Sequence, residues 1–249
     1  MRYTKPIEKI GAYFIFLKRV FRKPEKWNIF WKQLLSEAEK LVLSSIAIVG
    51  IISIFIGGVL VIQTASNLIN PLIDKMYVGY LVRESLILEF CSTMIALILA
   101  GKIGSSISSE LGSMRITDQI DAMEMMGVNS AVFLVLPKIT ATVILSPLIM
   151  LFSLSLGIMG GYLVVLSTGI ITINQYIRGI LFAYSAHYIY YSCLKTAIFC
   201  FIISSVSSFN GYYAKGGSLG VGRASTQAII YSSILILIFD LVLTQLILY

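Results

Sequence analysis

SSELGSMRITDQIDAMEMMGVNS, Ser108 to Ser130, is the most polar internal stretch of a very apolar chain. Long hydrophobic runs flank it, so it reads as a link between membrane spans that stands outside the bilayer. Its own pattern predicts a short helix. Thr117 is placed to act as N-cap, with Asp118 and Asp121 in the first turn, where carboxylates favour the helix dipole. Gly127 stands where a helix ends in the left-handed conformation. Between these signals Ile116, Ile120 and Met123 line one face, while Ala122, Met125 and Met126 add apolar surface on another. A helix in water carries that much apolar surface only if something covers it. Two coverings are open: a partner protein, for which methionines make an adaptable contact, or the chain's own membrane domain.

Composition sets the class. Hydrophobic residues make up 57% of the chain and charged residues 12%, about half the charged fraction of a soluble domain. No polar stretch is long enough to build a soluble domain, so an all-α integral membrane protein is expected. Cys91, Cys193 and Cys200 lie in or beside apolar segments without zinc-like spacing, and read as small buried hydrophobes. No secretory signal or transit peptide is evident at the N-terminus.

Residues 1–40 form a basic segment containing Arg2, Lys5, Lys9, Lys18, Arg19, Arg22, Lys23, Lys26, Lys32 and Lys40. Within it Trp27, Phe30, Trp31, Leu34 and Leu35 follow helical spacing. An amphipathic helix lying in the membrane surface is expected, its rings at headgroup level and its lysines toward anionic lipid. Nucleic-acid binding fits poorly, because the pattern is amphipathic and a span follows at once. About five spans are expected in residues 41–249: from Leu41 to about Leu68, Ser85 to Ser106, Val132 to Val165, Tyr188 to Ser208, and Thr226 to Tyr249. Asn67, Asn70, Pro71 and Asp74 mark a loop, residues 167–187 an interfacial segment, and Asn210 to Arg223 a Gly-rich loop. Gly57 and Gly58 permit close helix approach, as do Gly157 and Gly161.

Charge sets the orientation. The N-terminal ten, with Lys102, Arg115, Lys138, Lys215 and Arg223, place fifteen Lys/Arg on one side, against Lys75, Arg83 and Arg178 on the other. The positive-inside rule puts the N-terminus, the central helix and the Gly-rich loop in the cytoplasm and the C-terminus outside.

Little in the sequence suggests catalysis. KGGSLGVGRAS lacks the Gly-Lys-Ser/Thr ending of a P-loop and follows no strand, so ATP hydrolysis is not expected of this chain. No catalytic residue, metal cluster or cofactor site is expected. Glu89, Lys195 and Asp240 are the informative charges, since each interrupts an apolar span. A charge at mid-bilayer costs a few kcal/mol if unpaired, so each is expected to face a partner or water rather than lipid tails. An ion pair that fixes helix packing and a role beside a substrate path are both open.

ELGSMRITDQIDAMEMMGV resembles the signature of MlaE/YrbE-type permeases, the membrane subunits of ABC transporters that move phospholipids and related lipids. FNGYYAKGGSLGVGRASTQAI (Phe209 to Ile229) and FDLVLTQLIL (Phe239 to Leu248) agree with it, and the similarity runs from Leu41 to Tyr249. The family carries an acidic residue, a lysine and an aspartate at Glu89, Lys195 and Asp240. It often has Arg-Glu-hydrophobic-Gly-Pro around the first of these; here Leu88 precedes Glu89 and Cys91-Ser92 replace Gly-Pro.

The resemblance implies a homodimer in a bacterial inner membrane, bound to cytoplasmic ABC ATPase subunits and to a periplasmic lipid-carrying MCE-domain protein. It implies a phospholipid substrate moved between inner and outer membrane. It also implies that the central helix couples to the ATPase through Glu110, Gly112, Arg115, Gln119, Ile120, Asp121, Met123, Glu124, Met126 and Gly127. Of these, Ile120, Met123 and Met126 are expected to supply apolar contact, and Arg115, Asp121 and Glu124 a polar rim. The rival readings are a non-transporting membrane scaffold, which has no need of intramembrane charges, and a small-solute channel, which would want a polar stripe along a span.

Overall fold

The computed structural model describes residues 6–24, 26–68 and 73–248, with side chains from Glu8 to Leu246. Arg2, Lys5, Asn70, Pro71 and Tyr249, singled out above, lie outside the described residues. No strand occurs among the described residues. Helix α1 covers Pro6–Val20. Among the described residues, five helices are long and apolar enough to cross a membrane: α2 (Trp27–Asn67), α3 (Met76–Ile116), α5 (Ser130–Thr168), α7 (Ala186–Tyr212) and α8 (Gly217–Leu248). Between them lie two short helices, α4 (Gln119–Met125) and α6 (Ile173–Leu181). The chain is therefore an all-α, multi-pass membrane protein. It divides into two compact units, Met1–Ser44 with Leu99–Leu145 and Ile198–Phe239, and Ser45–Ile98 with Ser146–Ala197 and Asp240–Tyr249.

In the first unit α1 buries Phe16 and Val20, and the Phe16 ring meets Phe209, Tyr212 and Tyr213 of α7 and its end. Its other face leaves Phe14, Ile15 and Phe21 exposed, as suits a helix between protein and lipid. The helix that carries the aromatic stripe beginning at Trp27 is continuous with the first span. It runs without interruption into the first span through a π-helical turn at Ala38–Val42. The stripe is shared between two apolar neighbours: Phe30 and Leu34 are buried in the protein, while Trp27, Trp31 and Leu35 stay exposed.

The second span is longer than the apolar run suggests. Polar residues at its C-terminal end remain helical because their hydroxyls bond within the helix, Ser109 Oγ donating to Ser105 O at 2.7 Å. The Gly-rich stretch also departs from expectation. Only residues 213–216 leave the helix, at a turn that uses the positive φ angles of Gly216 and Gly217 (95° and 66°). Beyond it Val221 packs where a Cβ on Gly112 would fall, 3.1 Å away, so tertiary contact outweighs the weak helix propensity of glycine.

The second unit is built on backbone-to-backbone contact. A Cβ on Gly57 would overlap the carbonyl oxygen of Gly157, and one on Gly160 would overlap that of Ile54, so α2 and α5 meet with no side chain between them. Helix α6 opens with a capping box, Thr172 Oγ1 accepting from Gln175 N at 3.3 Å while Gln175 Oε1 accepts from Thr172 N at 3.1 Å. Its nine residues are too few to cross a bilayer, which takes about 20. Tyr176 pins α6 inward, donating to Ile158 O at 3.0 Å. Arg83 caps its far end, donating to the carbonyls of Ile180 (2.6 Å) and Phe182 (2.8 Å) and pairing with Glu84. Those bonds satisfy a guanidinium that is almost wholly buried.

Candidate functional site

Three helices of the second unit bring the intramembrane charges together. Lys195, on α7, is fully buried. Its Nζ lies 2.5 Å from Asp240 Oδ1 on α8 and 3.1 Å from Glu89 Oε2 on α3. It also donates to Leu88 O at 3.0 Å and to Thr244 Oγ1 at 3.3 Å, and sits 5.5 Å from the centre of the Tyr191 ring. Thr93 donates to Asp240 at 2.8 Å, and Thr244 donates to Glu89 at 3.3 Å. Asp240 is mostly covered, but the Glu89 side chain is 43% exposed. Two carboxylates face one ammonium, so the cluster carries a formal charge of minus one that reaches the surface through Glu89.

Sequence reasoning found the three charges and missed Thr93, Tyr191 and Thr244. The signal was present: Glu89 and Thr93, Tyr191 and Lys195, and Asp240 and Thr244 are each four residues apart, on one face of their helices. What the spacing does not show is the π-helical stretch Leu86–Met94 that carries Glu89. Such widened turns reset which face a side chain occupies and recur at functional sites.

In the first unit the polar stretch forms the end of α3, then α4. Thr117 does not cap the start of α4. It closes the helix before it, its Oγ1 donating back to Ser113 O at 3.0 Å. Asp118 makes the junction in the left-handed region, φ 57°, which its short polar side chain tolerates. Gly127 takes φ 80° after the helix, and Val128 N donates to Met123 O at 3.0 Å to close it.

The residues read as coupling groups divide by environment. Ile120 is fully buried, so it anchors α4 in the protein and is not exposed to a partner. Gly112 is a packing contact with Val221. Glu110 pairs with Lys40 (2.8 Å) and with the buried Lys138 (3.0 Å), which also holds Glu37 at 2.6 Å. Arg115 and Asp121 pair with each other at 2.5 Å. One oxygen of Glu124 accepts from Arg19 (2.7 Å), Tyr212 (2.7 Å) and Ser130 (2.8 Å), tying α4 to α1, α7 and α5. Burial alone would raise the Glu124 pKa, but the Tyr212 and Ser130 hydrogen bonds and the Arg19 charge hold it below the ordinary carboxylate range. Met123 is half-buried, while Gln119, Met126 and Gly127 are exposed. Met125 and Met126 are 89% and 72% exposed, adjacent and unpartnered among the described residues. Of the two coverings considered for the helix, the chain itself supplies one, over Ile120, and it leaves the methionine pair open.

No group of three His, Cys, Asp or Glu residues poised for a metal occurs among the described residues.

The chain is 33% identical to a probable ABC transporter permease protein of Rickettsia bellii, over 98% of this chain and 94% of the relative. It is 30% identical to a protein of the same description from Rickettsia felis, with the same coverage. It is 29% identical to the intermembrane phospholipid transport system permease protein MlaE of Haemophilus influenzae, over 94% of this chain and 89% of that one. Residues 34–246 match the family described as Permease MlaE, so this five-span helical protein, with its buried Lys195 cluster and its methionine-tipped link helix, belongs to the MlaE permease family and is the membrane subunit of a transporter.

Proposed function

We propose that this chain moves phospholipids or related amphiphiles between inner and outer membrane, driven by a separate cytoplasmic ABC ATPase docked on α4. The observation that carries the reading is the Lys195 cluster: a buried ammonium whose partner Glu89 is nearly half exposed. Charge that served only to fix helix packing would be enclosed on both sides. Here a carboxylate opens from an otherwise apolar span, where a lipid headgroup could meet it while its tails stay among apolar side chains. The exposed Met125 and Met126 support an ATPase on α4. The exposed Leu237, Leu241 and Leu246 of α8 supply apolar surface for a second copy of the chain beside lipid. The family of the Haemophilus relative supports a periplasmic MCE-domain partner and an inner-membrane location, with the N-terminus inside by the distribution of basic residues. Purifying the complex under mild conditions, then identifying its proteins and lipids, tests this. An ATPase and phospholipid co-purifying support it; a stable complex with neither favours a scaffold.

A further inference from the structure

The Lys195 cluster is one cation short. Glu89 and Asp240 share a single ammonium. The other basic residues of the second unit are Lys75, Arg83, Arg178 and His187, and none of them pairs with either carboxylate. Arg83 is taken up by Glu84 and by two backbone carbonyls. The residues of this unit outside the described set, 69–72 and 249, include no Lys, Arg or His. Arg2 and Lys5, also outside that set, belong to the first unit. Glu89 in addition has acceptor capacity to spare. Its oxygens receive Lys195 at 3.1 Å and Thr93 and Thr244 at 3.3 Å each, while a carboxylate offers about four lone-pair sites. It is also the open member of the pair, 43% exposed against 18% for Asp240.

The helices set the depth of the cluster. Helix α7 has 27 residues, about 40 Å at 1.5 Å each, close to the thickness of a bilayer with its headgroups, about 40–45 Å. Lys195 stands nine residues, about 13 Å, from the end of α7 that adjoins α6. The cluster therefore lies beneath the headgroup layer and short of the midplane. A hydrated cation does not enter that depth readily, whereas a cation carried on a lipid enters with its own apolar chains. Given the transport reading, on which this rests, we propose that Glu89 makes the site selective for lipids with a primary ammonium headgroup, such as phosphatidylethanolamine, over anionic lipids such as phosphatidylglycerol. The ammonium donates to the open side of Glu89 and supplies the missing counter-charge. A headgroup of phosphate and glycerol brings a further negative charge to a site that already has a surplus.

Competitive retention tests this. The full-length protein, purified in detergent and stripped of native lipid, is incubated with an equimolar mixture of phosphatidylethanolamine, its N-acetylated form and phosphatidylglycerol, all with the same acyl chains. Lipid that stays with the protein through gel filtration is quantified by mass spectrometry. Phosphatidylethanolamine should be retained about tenfold over phosphatidylglycerol, the weight of one hydrogen bond to a charged group. The N-acetylated lipid keeps the phosphate and loses the cation, so it should fall to the phosphatidylglycerol level; this comparison needs no variant. Glu89→Gln should bring the three lipids to near-equal retention. Glu39→Gln, which removes a carboxylate from an exposed position on α2, should keep the preference. Equal retention of the three lipids by the unaltered protein overturns the selectivity and leaves the transport reading standing. So does a preference that survives Glu89→Gln, or one that Glu39→Gln removes equally. Retention of no phospholipid by the unaltered protein overturns the transport reading and the selectivity together.

Discussion

Lys195 Nζ lies 2.5 Å from Asp240 Oδ1, and the lysine side chain has no exposed surface. A buried ammonium is tolerated only when its desolvation is offset by paired charge and hydrogen bonds. Asp240, Glu89, the Leu88 carbonyl and Thr244 together supply that offset. Removing the lysine leaves two carboxylates close together with no counter-charge. Removing Glu89 leaves the Lys195–Asp240 contact in place and alters the part of the cluster that reaches the surface.

These removals separate packing from transport. Lys195→Ala should lower stability by roughly 3–5 kcal/mol, the usual cost of orphaning buried charge. Lys195→Met/Asp240→Asn, which removes charge from both partners, should recover most of that in thermal denaturation of the detergent-solubilised protein. Glu89→Gln should be near neutral for stability and still impair lipid transfer in proteoliposomes. Full transfer by Glu89→Gln, at normal protein levels, would show that the cluster serves only packing.

The α2–α5 crossing makes a second prediction. Gly57→Ala places a methyl group on the carbonyl oxygen of Gly157, so one helix must shift by a full atomic radius. Gly101→Ala meets nothing within 4 Å. The first should lower the melting temperature by several degrees, consistent with a loss of about 1–3 kcal/mol from overpacking. The second should leave it unchanged or slightly raised, alanine being the better helix former. Equal melting temperatures would mean the two helices are not held in contact.

Periodicity and hydropathy suffice for the long helices because a bilayer requires their backbone bonds to close internally. Helix ends are less legible. Thr117 carries an N-cap signature, yet Ser113 lies four residues before it and accepts its hydroxyl, so it closes the earlier helix instead. The glycine-rich stretch after Tyr213 reads as loop because the packing of Val221 against Gly112 involves distant sequence. For the candidate site, charge in an apolar run exposed Glu89, Lys195 and Asp240, and their i,i+4 threonine and tyrosine partners were equally visible. Arg19 was not: nothing local distinguishes it from nine other basic residues in that segment, and only the fold brings it to Glu124.

Glu124 gives a pH prediction with a definite sign. Its folded pKa lies below the ordinary carboxylate value, about 4.3 in an unfolded chain. The stabilisation from its contacts is therefore present above that unfolded value and is lost as pH falls through the still lower folded one. Mild acidification to pH 6 should leave α4 seated. Glu124→Gln should loosen it at neutral pH, because a neutral amide is a weaker acceptor for Arg19. Hydrogen exchange over residues 119–126 reads this directly: faster in the variant at pH 7, and no opening transition in the unaltered protein between pH 7 and pH 6 once intrinsic rates are corrected.

The basic residues and the five long helices among the described residues predict a topology, with the N-terminus inside and the C-terminus outside. A reporter active only in the cytoplasm should work when fused to the N-terminus and fail when fused to the C-terminus. Activity at both ends would require an even number of crossings. The nine-residue α6 would then have to cross with its neighbours, against its length.

The link helix α4 divides its work between an anchor and a contact. Ile120 is fully buried and Glu124 is bonded to three other helices, so this side fixes where the helix sits. Met125 and Met126 project from its last turn and stay exposed. If an ATPase docks here, the two sides should fail differently. Met125→Ser/Met126→Ser should preserve the fold and protein level but lose the apolar contact, weakening capture of the ATPase by roughly thirtyfold if the pair is worth ~2 kcal/mol, as interface hot spots are. Ile120→Ala should lose about 2–4 kcal/mol of stability through the cavity it leaves. Met123→Pro removes a helix donor in the middle of α4 at a cost of about 3 kcal/mol. It should uncouple lipid-stimulated ATP hydrolysis from transport even where some binding persists, because a broken helix cannot carry groove closure as a rigid body. Co-purification of the ATPase and lipid-stimulated hydrolysis, measured for all three variants, check the scheme. Normal capture by the double methionine variant would move the docking site off α4, and normal coupling in Met123→Pro would remove the helix from the mechanism.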